Sequence, residues 1–182
     1  MRVISGKYKS RIINHVSNDS TRPTTDKVKG AIFNIIGPYF DGGTMLDLFS
    51  GSGAIAIEAI SRGMDKAYLV DISNDAIRVI NSNLTSLGIK EVVVLKMDYE
   101  SALNRLKDVK FDFIFLDPPY KMHIIEKILR FIYEKKMLKS DGVIVCEIEK
   151  NYQIEQSFFE VVKEYTYSIR KVIVYKEMDL WK

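Results

Sequence analysis

The chain of 182 residues has the length of one domain with at most a small extension, and its 47% hydrophobic and 28% charged residues, free of repeats, exclude a largely disordered protein. No uncharged apolar run approaches the roughly 20 residues of a membrane span, and Met1 leads into Arg2-Val3-Ile4-Ser5 with no signal-peptide core, so a cytoplasmic protein without membrane contact is expected. One cysteine, Cys146, excludes an internal disulfide, and with only His15 and His123 beside it no metal site is expected.

Charge is concentrated at the N-terminus. Residues 1–30 hold seven basic side chains against Asp19 and Asp26, so that stretch carries +5 and the remainder −2 of the net +3. Arg2 to Ile13 reads as a short hairpin with Gly6 in its turn, and residues 1–23 as a basic arm ahead of a domain over 24–182. Lys7, Lys9, Arg11 and Arg22 are the candidates for gripping phosphates of a nucleic acid, the alternative being a solvated arm. Arg22-Pro23 introduces a helix over Thr24–Ile36, because proline disfavours helix only for the residue before it, and Gly37-Pro38 ends it.

From Thr44 onward, strand-length apolar runs alternate with segments of helical period, the pattern of a parallel sheet covered by helices. The spacing predicts strands over 44–48, 67–70, 91–96, 111–116 and 142–148, and helices over 53–62, 74–87, 100–107 and 121–136. Asp47-Leu48-Phe49-Ser50-Gly51-Ser52-Gly53-Ala54 falls where the first strand gives way to a helix, and its glycines let backbone approach a ligand at the carboxyl end of the sheet. Gly51, Gly53 and Ala56 also fit a dinucleotide fingerprint, with Asp71 in place for a ribose. Asp47 separates the two cofactors: a carboxylate before the loop opposes a pyrophosphate but suits S-adenosylmethionine, which bears an ammonium and a sulfonium. Asp71, after the second strand, can accept from both ribose hydroxyls, and Asp98, after the third, can meet the adenine amine. Each acid taken singly could equally cap a helix.

Asp117-Pro118-Pro119-Tyr120 follows the fourth strand. An exocyclic amine on a nucleobase is a poor nucleophile because its lone pair is delocalised into the ring. The Asp117 carboxylate and the Pro118 carbonyl can accept both amine hydrogens, Pro119 stiffens the turn, and Tyr120 can stack on the base. Beyond Asn151 the period changes, and Phe158 to Tyr167 and Ser168 to Lys176 read as two strands with no helix between them, hence an antiparallel pair.

The Asp-x-Phe-x-Gly-x-Gly loop and Asp-Pro-Pro-Tyr resemble those of Rossmann-like class I S-adenosylmethionine-dependent methyltransferases that act on amino groups of bases. Arg2-Val3-Ile4-Ser5-Gly6-Lys7-Tyr8-Lys9-Ser10-Arg11 and Thr21-Arg22-Pro23-Thr24 narrow the resemblance to the RsmD family, bacterial enzymes that methylate guanine N2 in small-subunit ribosomal RNA. The resemblance spans nearly the whole chain and departs at Gly30, where the family often has an acid. It implies an α/β fold with a seven-stranded, mostly parallel sheet, a C-terminal antiparallel hairpin and a small N-terminal β-hairpin extension. It also implies S-adenosylmethionine held by Thr24, Asp47, Phe49, Gly51, Gly53, Asp71, Ile72, Asp98, Tyr99 and Asp117, with Thr24 closing over the methionine end. The implied substrate is small-subunit ribosomal RNA, free or in an assembling particle, and the implied state a monomer. Three rivals stand beside this reading: an adenine-N6 methyltransferase, a nicotinamide-dependent dehydrogenase, and an RNA-binding module without catalysis.

Overall fold

The computed structural model describes residues 1–16, 26–119 and 122–178. In chain order the elements are α1 (Asp26–Ile36), β1 (Thr44–Asp47), α2 (Ala54–Ser61), β2 (Lys66–Asp71), α3 (Asn74–Leu87), β3 (Val92–Lys96), α4 (Tyr99–Leu106), β4 (Phe111–Leu116), α5 (Ile125–Glu134), β5 (Leu138–Glu149), β6 (Phe159–Tyr167) and β7 (Arg170–Glu177). The strands form one sheet in the order β3-β2-β1-β4-β5-β7-β6, parallel from β3 to β5 and antiparallel across β5-β7-β6.

The sequence dictates which helix lies where. The Phe111-Asp112-Phe113-Ile114-Phe115-Leu116 strand is apolar on both faces, so β4 must be covered twice. Phe113 and Phe115 pack with α1 and α2 on one face, and Phe111, Ile114 and Leu116 with α4 and α5 on the other. α2, Ala54-Ile55-Ala56-Ile57-Glu58-Ala59-Ile60-Ser61, is apolar nearly all round and every residue of it is buried. α3 is amphipathic, capped by the Ser73 side chain at its start and by left-handed Gly88 at its end. The chain winds outward through β1, β2 and β3, then returns to lay β4 on the other flank of β1. This reversal between β1 and β4 opens a crevice at the carboxyl ends of the two strands, where ligands of open α/β sheets bind.

Beyond shifts of one or two residues at element ends, three features differ from those read in the sequence. The N-terminal hairpin keeps a single ladder pair, Arg2 with Ile12, because the donors nearer its turn go to α2 instead: Lys7 N donates to Ser61 O at 2.7 Å, and Ile4 N and Ser5 N donate to the Glu58 carboxylate at 2.8 and 3.0 Å. Gly6 lies against this helix with φ +83°, and a Cβ there would stand 1.7 Å from Ser61 O, so no other residue fits. Val3 and Ile13 are buried in the core shared with α1 and α2, so residues 1–13 pack as part of the domain. α5 begins at Ile125, not residue 121, since His123 has φ +42°. β5 begins at Leu138, which pairs with Phe111 before the register shifts, so Lys139-Ser140-Asp141-Gly142 is an irregular stretch of strand and not a turn.

No helix among the described residues is long and apolar enough to cross a membrane.

Candidate active site

Five acids stand at or just beyond the carboxyl ends of five neighbouring parallel strands: Asp98, Asp71, Asp47, Asp117 and Glu147, in the sheet order β3-β2-β1-β4-β5. Asp47 is fully buried at the end of β1, and among the described residues its Oδ1 has no hydrogen-bond partner. Burial, reinforced by the nearby Asp71 carboxylate, pushes Asp47 up to about 8. Such an acid is an acceptor waiting for a cation.

The loop after β1 is pinned by Ser50, whose Oγ donates to Asp47 O at 2.8 Å and accepts from Val70 N at 2.9 Å. Its two glycines have different jobs. Gly53 has φ +76° and a Cβ there would lie 2.9 Å from Leu69 Cδ2, so it serves close packing. Gly51 has φ +53° and nothing within 4 Å of where its Cβ would stand, so the backbone faces open space. Asp71 fixes this turn by accepting from Gly51 N at 2.9 Å and Ser73 N at 2.8 Å, which leaves each of its oxygens a second lone pair. Beside it Ile72 is 70% exposed, a large apolar side chain at the crevice mouth. Phe49 and Tyr99 stack nearby, with ring centroids 5.9 Å apart.

Asp98 lies beyond β3 and caps α4, accepting from Ser101 N at 2.9 Å and Ser101 Oγ at 2.7 Å. Those bonds, the hydroxyl's first, hold its carboxyl below the usual range. The capping role and the ligand role read from the sequence are compatible, because the residue is exposed and retains free lone pairs.

At the end of β4, Asp117 is half-buried, Pro118 buried and Pro119 exposed. The Asp117 carboxyl is pushed well above its ordinary range by burial, then by Glu147, with Asp47 adding and Arg170 opposing. Arg170 Nη1 lies 3.6 Å from Asp117 Oδ2 and also contacts Glu147 Oε1. Tyr167 Oη donates to that same Glu147 oxygen at 2.6 Å. Glu147, Tyr167 and Arg170 were not among the site residues read from the sequence. One signal was available: Glu147 stands between the apolar run Val143-Ile144-Val145-Cys146 and Ile148. Thr24, Arg22 and Tyr120 lie outside the described residues.

Lys7, Lys9 and Arg11 are not brought to the crevice. Lys7 N bonds Ser61 at the last residue of α2, and the Arg11 guanidinium donates to Ser86 O near the end of α3, at 2.9 Å. Both helices start at the carboxyl ends of the strands, so at 1.5 Å per residue these cations sit about 12–20 Å from the strand-end acids.

The fold and this site define a Rossmann-like methyltransferase, whose methyl donor is S-adenosylmethionine. The residues fit that donor, since an orphaned buried acceptor at Asp47 and open backbone at Gly51 stand beside a partly engaged acid at Asp71. More narrowly, the chain belongs to the family described as "Conserved hypothetical protein 95", matched over residues 1–176. It is 45% identical over 182 residues to the Bacillus subtilis protein named "Putative rRNA methyltransferase YlbH", covering 97% of this chain and 99% of that one. It is 31% identical over 152 residues to "Ribosomal RNA small subunit methyltransferase D" of Buchnera aphidicola, covering 84% and 80% of the two chains. Among solved structures, "Putative methyltransferase yhhF from Escherichia coli" superposes with a TM-score of 0.85 at 25% identity, over 97% of each chain. These relatives bear out the resemblance to the RsmD family.

Proposed function

We propose that this protein transfers a methyl group to the exocyclic N2 amine of a guanine in small-subunit ribosomal RNA. The observation that carries the reading is the adjacency, at the β1/β4 reversal, of the orphaned Asp47 and of Asp117-Pro118-Pro119. One acid suits a cationic methyl donor; the other, with its neighbouring carbonyl, suits an amine acceptor. The names of the relatives support ribosomal RNA as substrate.

Bound in the crevice, S-adenosylmethionine supplies an electrophilic methyl on a sulfonium. Asp47 accepts from the ammonium at the donor's methionine end, with Gly51 and Gly53 letting backbone approach it and Thr24 closing over it. The second lone pairs of Asp71 accept from the ribose hydroxyls. Ile72, Phe49 and Tyr99 offer apolar surface to the adenine, and Asp98 an acceptor to its amine. The Asp117 carboxylate and the Pro118 carbonyl accept the two hydrogens of the target amine, turn its lone pair out of the ring and aim it, and Asp117 holds the proton the amine gives up. Tyr120 stacks on the base. Lys7, Lys9 and Arg11 hold phosphates away from the reacting base, and Arg22 is a further phosphate contact. The amine must come within about 3–3.5 Å of the methyl group, which a base inside a duplex cannot do, so the target is unpaired or flipped out. The protein acts as a cytoplasmic monomer, on free RNA or on the assembling small subunit.

Incubation with labelled S-adenosylmethionine and either naked small-subunit RNA or reconstituted particles, followed by digestion to nucleosides and mass spectrometry, tests the reading. N2-methylguanosine is expected, absent with Asp117→Ala. N6-methyladenosine as the sole product would overturn the guanine assignment.

A further inference from the structure

We propose that Arg170, held by Glu147, which Tyr167 braces in turn, is a positioning residue that favours the ionised form of the Asp117 carboxyl and aims it at the target amine. The amine-accepting role of Asp117 is that of the proposed function; the rest stands on geometry.

Leu116 pairs with Cys146 in parallel register, so Asp117 and Glu147 are the next residues along adjacent strands. Phe113, Phe115, Val143, Val145, Val172 and Val174 all face one core, and alternation along each strand puts Asp117, Glu147 and Arg170 on that same face. Asp47 follows Met45 to it on β1. Three carboxylates therefore stand in a row on β1, β4 and β5, at strand spacings of about 4.8 Å. Each disfavours ionisation of its neighbours, and burial adds to the effect. A carboxylate in this row that must accept a hydrogen bond from an amine needs a cation.

Arg170 is the cation brought there. It opens β7 immediately after the turn at Ser168 and Ile169, and that turn is tied down by Lys150 N donating to Ile169 O at 2.9 Å. Its Nη1 reaches both Asp117 and Glu147. Glu147 is 1% exposed, with its Oε1 shared between Arg170 and Tyr167. A buried acid of this kind costs desolvation energy that no net stability gain requires. Its effect here is geometric: it fixes the Arg170 Nη1 that also lies 3.6 Å from Asp117 Oδ2. The groups facing Asp117 are thus Glu147 from β5, Arg170 from β7 and Asp47 from β1, and β6 contributes Tyr167 as the outer brace. The C-terminal hairpin accordingly becomes part of the catalytic apparatus as well as the end of the sheet.

The first test needs neither cofactor nor RNA. In protein labelled with 13C at the aspartate carboxyls, the Asp117 resonance, assigned by its loss in Asp117→Asn, is titrated by NMR. Removing the cation in Arg170→Gln should move its midpoint to higher pH, and removing the neighbouring charge in Glu147→Gln should move it to lower pH, each by roughly one unit or more. Arg170→Lys, which keeps the charge but loses the fork, should restore most of the midpoint. In single-turnover methylation, the acidic limb of the pH–rate profile should follow the same two directions, and Arg170→Gln should lose on the order of 100-fold at neutral pH, the cost of a misplaced catalytic group. Should Arg170→Gln unfold, a lower midpoint in Glu147→Gln beside a near-parent midpoint in Arg170→Lys still decides. Unchanged midpoints, or shifts in one direction for Glu147→Gln and Arg170→Gln, would overturn the inference. Midpoints that move as expected in a protein that methylates no guanine would sink the proposed function alone. An active wild type, an inactive Asp117→Ala and an unaltered pH profile in Arg170→Gln would sink the positioning role alone.

Discussion

Asp47 combines a cost to folding with a use in binding. Its carboxyl, pushed up to about 8 by burial and by Asp71, holds a proton in the folded protein that it has lost in the unfolded chain at any pH between about 4 and 8. The folded state then binds more protons than the unfolded one, so this group's contribution to stability is fully present below pH 4 and is lost as pH rises to about 8. Asp47→Asn removes that titration. We expect the variant to melt higher than the parent at pH 8, by about 2–4 °C for each kcal/mol recovered, and to differ less at pH 5. The same change should weaken S-adenosylmethionine by at least the roughly 1.5–3 kcal/mol of a hydrogen bond to a charged group. Calorimetric titrations and melting curves at the two pH values check both halves. In the parent, a cationic ligand at Oδ1 favours the carboxylate, so binding near neutral pH should release a proton, visible as a dependence of the binding heat on the buffer's ionisation enthalpy. A heat independent of the buffer would contradict this account.

At the scale of elements, Glu58 joins α2 to α1 and to the N-terminal hairpin. Its carboxylate is fully buried and accepts from Ile4 N, Ser5 N and Arg62 Nε, while Lys29 Nζ lies 3.2 Å away. Burial pulls the Lys29 amine down, against the raising influence of Glu58 and Asp26. Glu58→Ala leaves two backbone donors without their acceptor and takes the carboxylate from the buried Lys29 and Arg62, and should cost roughly 3–5 kcal/mol, read as a fall in melting temperature of about 10–15 °C. A loss under 1 kcal/mol would mean that water replaces the carboxylate. Periodicity alone located every helix and strand of the sheet, because β4 and α5 are apolar in patterns only one secondary structure can bury. It did not locate Glu58, Glu147 or Arg170. Apart from Arg62, four residues along α2 from Glu58, their partners in these hydrogen bonds lie 20 to 54 residues away in sequence, and no local spacing encodes such contacts. The glycine loop and Asp-Pro-Pro turn were legible because their chemistry is local: consecutive residues make the turn and supply the acceptors. Both Glu58 and Glu147 are nonetheless visible as isolated acids in apolar runs, a pattern that marks a charge the fold must pair.

For the whole molecule, the basic residues and the chemistry occupy opposite ends. Lys7, Lys9 and Arg11 sit where α2 and α3 finish, while the acids line the crevice where those helices begin. A crevice lined by acids offers a polyanion no cationic surface beyond the buried Arg170, so affinity for RNA must be collected elsewhere on the surface. The exposed cations at the far end are suited to that work, because phosphate contacts act through counterion release and need no alignment with the target base. Replacing Lys7, Lys9 and Arg11 together by Gln should weaken RNA binding for any sequence and reduce the slope of log K against log salt by up to about 2–3, at roughly 0.7–0.9 for each phosphate no longer neutralised. It should leave calorimetric affinity for S-adenosylmethionine alone as in the parent, since the three side chains lie about 12–20 Å from the crevice. Filter binding of small-subunit RNA over a series of salt concentrations gives the slope. If it is unchanged, the RNA approaches only from the crevice side and these cations form a solvated edge; a weakening confined to one RNA sequence would instead make them readers of bases, contrary to their distance from the site.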